Sequence, residues 1–415
     1  MNAYAAIILA ALVAEYLVAR GADLRNLRAL DDVLPQEFAG VFDPETYSRS
    51  QRYTRERTRL GMVTSSFNLV LLLAFWFAGG FAALDRWVAG LDAGSVGRGL
   101  VFIGALVAAR TVLDLPFRLY GTFVLEERYG FNRTTARTFV ADLVKSLGLA
   151  LLLGVPALAA LLSFFTYAGS LAWLYAWTAA VAFTLTVQFI LPTWIMPLFN
   201  RYTPLEDGEL RQAISDYATS VSFPLKSVMV MDGSRRSTRA NAFFTGFGKN
   251  KRIALFDTLI AQHSTPQLVA VIAHEVGHYK RRHVLIGLAA SVVHMGLLFA
   301  LLSQFLSREG LFAAFGVQEP SVHAGLLFFG LLLTPVEFVL SLGLQALSRR
   351  HERQADAYAA RTTGDSESMI GALKTLSKNN LSNLTPDPFY VALNYSHPPV
   401  LERIAALKTE ASGGT

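Results

Sequence analysis

Seven stretches of this chain are apolar enough and long enough to cross a lipid bilayer, and nothing else in the sequence restricts the fold as severely. They run roughly Tyr4–Val18, Met62–Leu84, Gly99–Tyr120, Leu147–Phe165, Leu171–Leu191, Val284–Leu306 and His323–Leu347. A spanning helix needs about 17–25 predominantly apolar residues. Within lipid every backbone N–H and C=O must be satisfied by the protein itself, which leaves helices or closed barrels. Composition agrees: 53% of residues are hydrophobic and only 16% charged, with a mean hydropathy of +0.38, whereas a soluble chain carries about a quarter charged residues. The first stretch is the shortest. It lacks a charged leading region and a small-residue cleavage site, so it reads as an uncleaved span and not as a signal peptide. The expected fold is therefore mainly α, a polytopic membrane protein with seven transmembrane helices.

Basic residues orient such a chain, because cytoplasmic loops carry an excess of Lys and Arg. The first loop holds Arg20, Arg25, Arg28, Arg49, Arg52, Arg55, Arg57 and Arg59, the second only Arg86 and Arg98. The third has Arg128, Arg133, Arg137 and Lys145, the fourth none, and the fifth is a long polar insert rich in both. The sixth has Arg308 alone, and the C-terminal segment opens with Arg349 and Arg350. Rich and poor loops alternate throughout, a parity that requires an odd number of spans. The N-terminus is expected outside, and the insert and C-terminus in the cytoplasm. A net charge of +6 concentrated beside apolar runs suits anionic lipid better than nucleic acid. The chain has no cysteine, so disulfide and thiolate chemistry are excluded and any metal must use His, Asp or Glu. Abundant Ala, Leu, Gly and Arg with few Lys points to a GC-rich bacterial genome, and hence to a bacterial inner membrane.

Charges at Arg110, Asp114, Asp142, Lys145 and Glu337 lie within or at the ends of apolar runs. They either pair with one another or line a hydrated chamber. Residues 1–199 read as a membrane domain of five spans, and 200–415 as a second domain that includes two more, about 284–306 and 323–347. In the insert, Thr203-Pro204 followed by Glu206 resembles a helix start. "RANAFFTGFGKNKRIALFDTLI" alternates apolar and polar residues around Gly248-Lys249-Asn250 and reads as a β-hairpin. "STPQLVAVIAHEVGHYK" has Ser264 or Thr265 as cap and Pro266 in the first turn, and reads as a helix.

That helix carries the chemistry. His274 and His278 are four residues apart and share one face, with Glu275 turned about 100° away. This is the H-E-x-x-H arrangement of two zinc ligands and a general base. A catalytic zinc takes three protein ligands and keeps one position open. His294 and His323 lie within or beyond the sixth span, His263 precedes the helix cap, and His283 falls off the ligand face. "SRRHERQADAYAA" offers a better partner. There Glu352 would complete a His-His-Glu set, Asp356, four residues on, would orient a ligand imidazole, and His351 is the alternative third ligand. Both halves of such a site abut a span ending at the cytoplasmic surface.

The segments "EERYGFNRTT", "PLFNRYTPLEDGELRQAI", "NAFFTGFGKNKRIALFDTL", "AHEVGHYKRRH", "RRHERQADAYA" and "NYSHPP" together resemble the type I CAAX prenyl endopeptidases, a family of integral-membrane zinc metalloproteases. The resemblance covers nearly the whole chain. It implies seven spans around a hydrophilic chamber, one zinc held by His274, His278 and Glu352, and Glu275 as base. It further implies that Asn241, Ala242 and Phe243 lie on a strand that pairs with substrate, that His397 steadies the tetrahedral intermediate, and that Asn241 joins the catalytic groups by helping to hold the oxyanion or the substrate. Substrates would be membrane-associated or CAAX-like peptides or proteins, lipidated in eukaryotic members. In a bacterium, membrane-protein quality control without prenyl substrates is the natural alternative. A transporter or channel with a structural zinc is the competing class, but it would favour four protein ligands where the sequence offers three. Oligomeric state is not set by the sequence.

Overall fold

The computed structural model describes residues 1–245 and 251–413. Its helices are α1 (Ala3–Arg28), α2 (Pro44–Phe77), α3 (Gly80–Ala89), α4 (Gly94–Tyr120), α5 (Ala136–Leu149), α6 (Val155–Tyr167), α7 (Ala172–Ile190), α8 (Met196–Phe199), α9 (Glu209–Ser220), α10 (Asp257–Gln262), α11 (Thr265–Lys280), α12 (His283–Phe305), α13 (Glu309–Ala313), α14 (Val322–Thr363), α15 (Ser366–Asn379), α16 (Pro388–Asn394) and α17 (Val400–Gly413). Seven helical segments are long and apolar enough to span: Ala3–Arg28, Pro44–Phe77, Gly94–Glu126, Ala136–Tyr167, Gly169–Phe199, His283–Phe305 and Val322–Thr363. These are the seven expected from the hydropathy of the sequence. Their apolar side chains point outward: Leu151, Leu152 and Val339 are 66%, 69% and 65% exposed, a surface suited to lipid and not to water.

The spans are longer than their apolar cores, because polar turns extend the same helices beyond the hydrocarbon. Three π-helical stretches, Gly121–Glu126, Ala150–Gly154 and Leu191–Ile195, carry helices onward. Two of them sit at Pro156 and Pro192, whose missing N–H breaks the regular ladder. The second span ends at Phe77, earlier than expected, since Gly79 takes a left-handed φ of +75° and the chain restarts as the separate α3. The seventh is not span plus separate helix but one helix of 42 residues.

At one end the spans are tied by an aromatic cluster. Phe315 stacks on Phe328 at 3.9 Å and on Trp76 at 4.6 Å, and Phe81 meets both phenylalanines edge-on. At the other end sits a mixed four-stranded sheet of β1 (Tyr202–Pro204), β2 (Leu225–Met231), β3 (Ala242–Thr245) and β4 (Lys251–Phe256). The order is β1-β2-β4-β3, with β2 and β4 parallel and the other two pairs antiparallel. The hairpin read from the sequence is β3–β4; its Gly248-Lys249-Asn250 turn lies outside the described residues. Thr203-Pro204 does not start a helix. It lies on the edge strand β1, where a missing N–H is tolerated, and α9 begins at Glu209. Ile253, Leu255, Leu268, Ile272 and Val276 are buried together, which seats α11 on the sheet.

The charges within the apolar runs are paired. Arg110 donates to Asp114, Arg236 makes a bidentate contact with Asp142 at 2.7 and 2.8 Å, and His294 meets Glu337 at 3.0 Å. Lys145 donates to the carbonyl of Leu198.

Candidate metal centre

The start of α11 is fixed by a capping box. Ser264 and Gln267 satisfy one another's backbone N–H groups, and Pro266 sits in the first turn. The helix then packs on α14 more extensively than any other two elements among the described residues. Gly277, between the two histidines, permits the approach: a Cβ there would lie 3.1 Å from the Ala355 Cα and 3.2 Å from its carbonyl oxygen.

This contact brings His274, His278 and Glu352 together. The two imidazole Nε2 atoms are 3.1 Å apart, His274 Nε2 is 3.4 Å from Glu352 Oε2, and His278 Nε2 is 3.3 Å from Glu352 Oε1. Donors about 2.0–2.1 Å from one tetrahedral ion lie about 3.3–3.4 Å from each other. Glu352 Oε2 is buried without a hydrogen-bond partner among the described residues, and an orphaned carboxylate oxygen is costly unless a cation meets it. Two imidazoles with one carboxylate exclude the all-oxygen preference of calcium and magnesium and suit zinc. The three residues could therefore hold a metal ion.

The far side of each imidazole is also engaged. His274 Nδ1 lies 2.8 Å from Asp356 Oδ1, and Arg403 of α17 grips Asp356 with Nε at 2.8 Å and Nη2 at 2.7 Å. Burial pulls the His274 imidazole down, but the hydrogen bond to Asp356 and the nearby Glu352 carboxylate outweigh it and leave the ring pushed up to about 9. His278 Nδ1 lies 3.0 Å from His283 Nδ1, and His283 Nε2 lies 2.9 Å from Gln354 Oε1. With Nε2 of His278 facing the metal position, its Nδ1–H donates to His283, which donates in turn to Gln354. His351 is turned away from the cluster and stacks on His283, rings 4.0 Å apart.

Glu275 is half-buried beside this group, and burial pushes its carboxyl above the usual carboxylate range. His397, on the loop before α17, brings Nε2 to 3.4 Å from Glu352 Oε2, while its Nδ1 lies 2.9 Å from the Ser396 hydroxyl. The ring is 60% exposed and lines a large cavity beside the cluster; desolvation lowers its pKa from the ordinary histidine value. Asn241 lines the same cavity and directly precedes β3 instead of lying within it, its Oδ1 accepting from the Ala242 N–H at 2.9 Å. Ala242 and Phe243 are the first residues of β3, an outer strand of the sheet. Arg403, His283 and Gln354 were not foreseen. Arg403 lies 47 residues beyond Asp356 with no local signal, and His283 was set aside because it cannot itself reach the ion.

Comparison with known proteins agrees with this geometry. Residues 23–201 match the family model described as CAAX prenyl protease N-terminal, five membrane helices, and residues 204–411 match that of peptidase family M48. A CAAX prenyl protease 1 homolog of Oryza sativa is 37% identical over 98% of this chain and 97% of its own length. CAAX prenyl protease 1 of Saccharomyces cerevisiae is 35% identical over 90% and 88%, and the Homo sapiens homolog 33% over 91% and 89%. The crystal structure of S. mikatae Ste24p superposes with a TM-score of 0.93 at 34% identity, covering 98% of this chain and 99% of that one. These relatives are from a plant, yeasts and an animal, so they do not support the bacterial inner membrane expected from composition. The transporter or channel reading is not favoured by any of them. The chain belongs to peptidase family M48, as a membrane-embedded zinc metalloendopeptidase of the CAAX prenyl protease type.

Proposed function

We propose that His274, His278 and Glu352 bind one zinc ion, that Glu275 is the general base, and that the enzyme hydrolyses CAAX-like peptide or protein substrates at the membrane. The observation that carries this is the triangle of ligand atoms, with edges of 3.1, 3.3 and 3.4 Å. Residues 1–199 form the five-span membrane portion in this reading and 200–415 the peptidase portion. The N-terminus is outside, and the C-terminus and active site are cytoplasmic.

When bound, zinc polarises the scissile carbonyl and lowers the pKa of water at its open position to about 7. Glu275, raised by burial, accepts the proton of the attacking water and passes it to the amide nitrogen as the C–N bond breaks, giving a carboxylate and an amine. The Ser396 hydroxyl donates to His397 Nδ1, which leaves the ring proton on Nε2, the atom facing the site. From there it donates to the carbonyl oxygen as charge develops. Asn241, Ala242 and Phe243 offer substrate the open side of β3, where backbone pairing would extend the chain past the metal. Asp356, clamped by Arg403, keeps His274 in the tautomer that presents Nε2.

Glu275→Gln tests the assignment. It should retain one zinc per chain and the wild-type melting temperature while losing about 10²–10⁴ in turnover, and peptides trapped by the inactive protein would identify the substrate. Loss of metal together with activity would reassign Glu275 as a ligand.

A further inference from the structure

The segment EERYGFNRTT, residues 126–135, joins the third span to α5 and holds none of the groups of the metal centre. It runs alongside the chain that leads into β3. Asn132 and Ser237 form an antiparallel bridge. The Arg133 N–H donates to the Arg236 carbonyl at 3.0 Å, and the Thr238 N–H donates to the Phe131 carbonyl at 3.1 Å. An arginine at each end of this bridge ties it to the membrane portion. Arg236 is gripped by Asp142 of α5, and Arg239 donates from Nη2 to both Glu126 carboxylate oxygens, at 3.0 and 3.1 Å. Glu126 is the last residue of the third span. Tyr53 of α2 donates to it at 2.6 Å, and the Arg239 guanidinium carbon lies 4.4 Å from the centre of the Phe131 ring.

The same residues are tied to the peptidase portion on their other side. The Arg239 carbonyl accepts from the Thr258 hydroxyl at 2.8 Å, and the Asn241 carbonyl accepts from the Phe256 N–H at 3.1 Å. Only Ala240, buried, separates Arg239 from Asn241, at most about 7 Å of chain. An outer strand such as β3 has a sheet neighbour on one side only, and a slip of one residue would turn each of its side chains to the opposite face. Anchoring the chain just before the strand removes that freedom. Glu126 does not itself line the cavity that His397 and Asn241 share, whereas Arg239 does, so Glu126 reaches the site through Arg239.

We propose that Glu126 and Arg239 are positioning residues for the strand that takes substrate: their ion pair sets Asn241 and the open side of β3 in register with the metal centre. The five-span portion thereby enters catalysis without touching the scissile bond. This rests on the strand-pairing part of the function above.

The test uses the full zinc-loaded chain and an internally quenched CAAX-like peptide, with versions N-methylated at one backbone nitrogen at a time. Each methyl removes one strand hydrogen bond, so wild type should show positions at which kcat/KM falls about 10-fold. Glu126→Gln keeps the shape of the side chain and removes its charge. It should lower kcat/KM on the unmethylated peptide by about 10- to 100-fold, the scale for a misplacement on the order of 1 Å, while one zinc per chain is retained. It should also shrink the N-methylation penalties to about one, and Glu126→Asp should recover part of both effects. Arg239→Gln should behave alike, and the double variant should lose no more than either single one. A lowered melting temperature with normal kcat/KM would reduce the pair to a structural tie and overturn the proposal. So would N-methylation penalties that persist in full in Glu126→Gln, or losses that multiply in the double variant. A wild type indifferent to N-methylation at every position would refute strand pairing itself, and the proposal with it. Binding of the same peptides to the Glu275→Gln protein, followed by fluorescence, makes the comparison without cleavage: penalties there that adding Glu126→Gln erases support the positioning role even if no peptide is cut, and penalties it leaves intact overturn that role while peptide hydrolysis stands.

Discussion

At the scale of single residues, the metal cluster is built from short, mutually braced contacts, and each assigned role has its own signature. His397 touches the cluster only through Glu352, at 3.4 Å, and is not placed among the ligands. His397→Ala should reduce turnover by about 10²–10³, the effect of losing one oxyanion donor, with zinc content full and substrate affinity little changed. Steady-state kinetics, a zinc assay and a melting curve on one preparation check this; normal turnover would remove His397 from the mechanism. His274 and His278 were legible as a pair because helical spacing puts them on one face, and Glu352 as the third donor that a two-histidine site still lacks, on a helix ending at the same membrane face. Arg403 and the His283–Gln354 relay were not, since which distant side chain closes a hydrogen bond depends on how α17 and α14 are packed.

At the scale of elements, the site exists because α11 and α14 approach closely, and Gly277 is the point of approach. Replacing it by Ala pits two effects against each other. Helix propensity gains about 1 kcal/mol, while a Cβ 3.1 Å from the Ala355 backbone introduces overpacking of about 1–3 kcal/mol. Backbone atoms cannot rotate away, so overpacking wins. Gly277→Ala should lower the melting temperature and also weaken zinc binding, because the helix bearing two ligands is pushed off the helix bearing the third. Thermal melts with and without chelator, and competition with a zinc indicator, check both. A loss of stability with unaltered zinc affinity would show that the helices separate without opening the ligand triangle. The β3–β4 hairpin was legible from its alternation. The position of β1 was not: three residues containing a proline carry too little pattern to reveal an edge strand, and its pairing with β2 is set by the sheet and not by local preference.

At the scale of the molecule, the seven spans and the arginine-rich ends define an orientation that reporter fusions can read. A fusion at Thr415 should report the cytoplasm and one within Asp85–Arg98 the opposite side; the same side for both would refute an odd number of crossings. Span count was legible because the cost of placing polar backbone in lipid leaves so few solutions. The lengths of the helices were less so. Arg349 and Arg350 look like the end of the seventh span, yet the helix continues, since no proline or glycine intervenes before Gly364, whose left-handed φ of +66° stops it.

That continuity gives the three ligands unequal ties to the lipid. Glu352 stands 30 residues into α14, about 45 Å from its start at 1.5 Å per residue, on a rod that also crosses the hydrocarbon. His274 and His278 are separated from their own span, α12, by the left-handed break at Arg282. When a bilayer thickens or thins, spanning helices tilt to match it. Such a tilt would carry the carboxylate with it directly, while the imidazoles follow only as far as the α11–α14 contact and the His274–Asp356 hydrogen bond draw them. Acyl-chain length thus becomes a lever on metal coordination: turnover measured in vesicles of graded thickness should pass through a maximum, and zinc affinity should fall on either side of it.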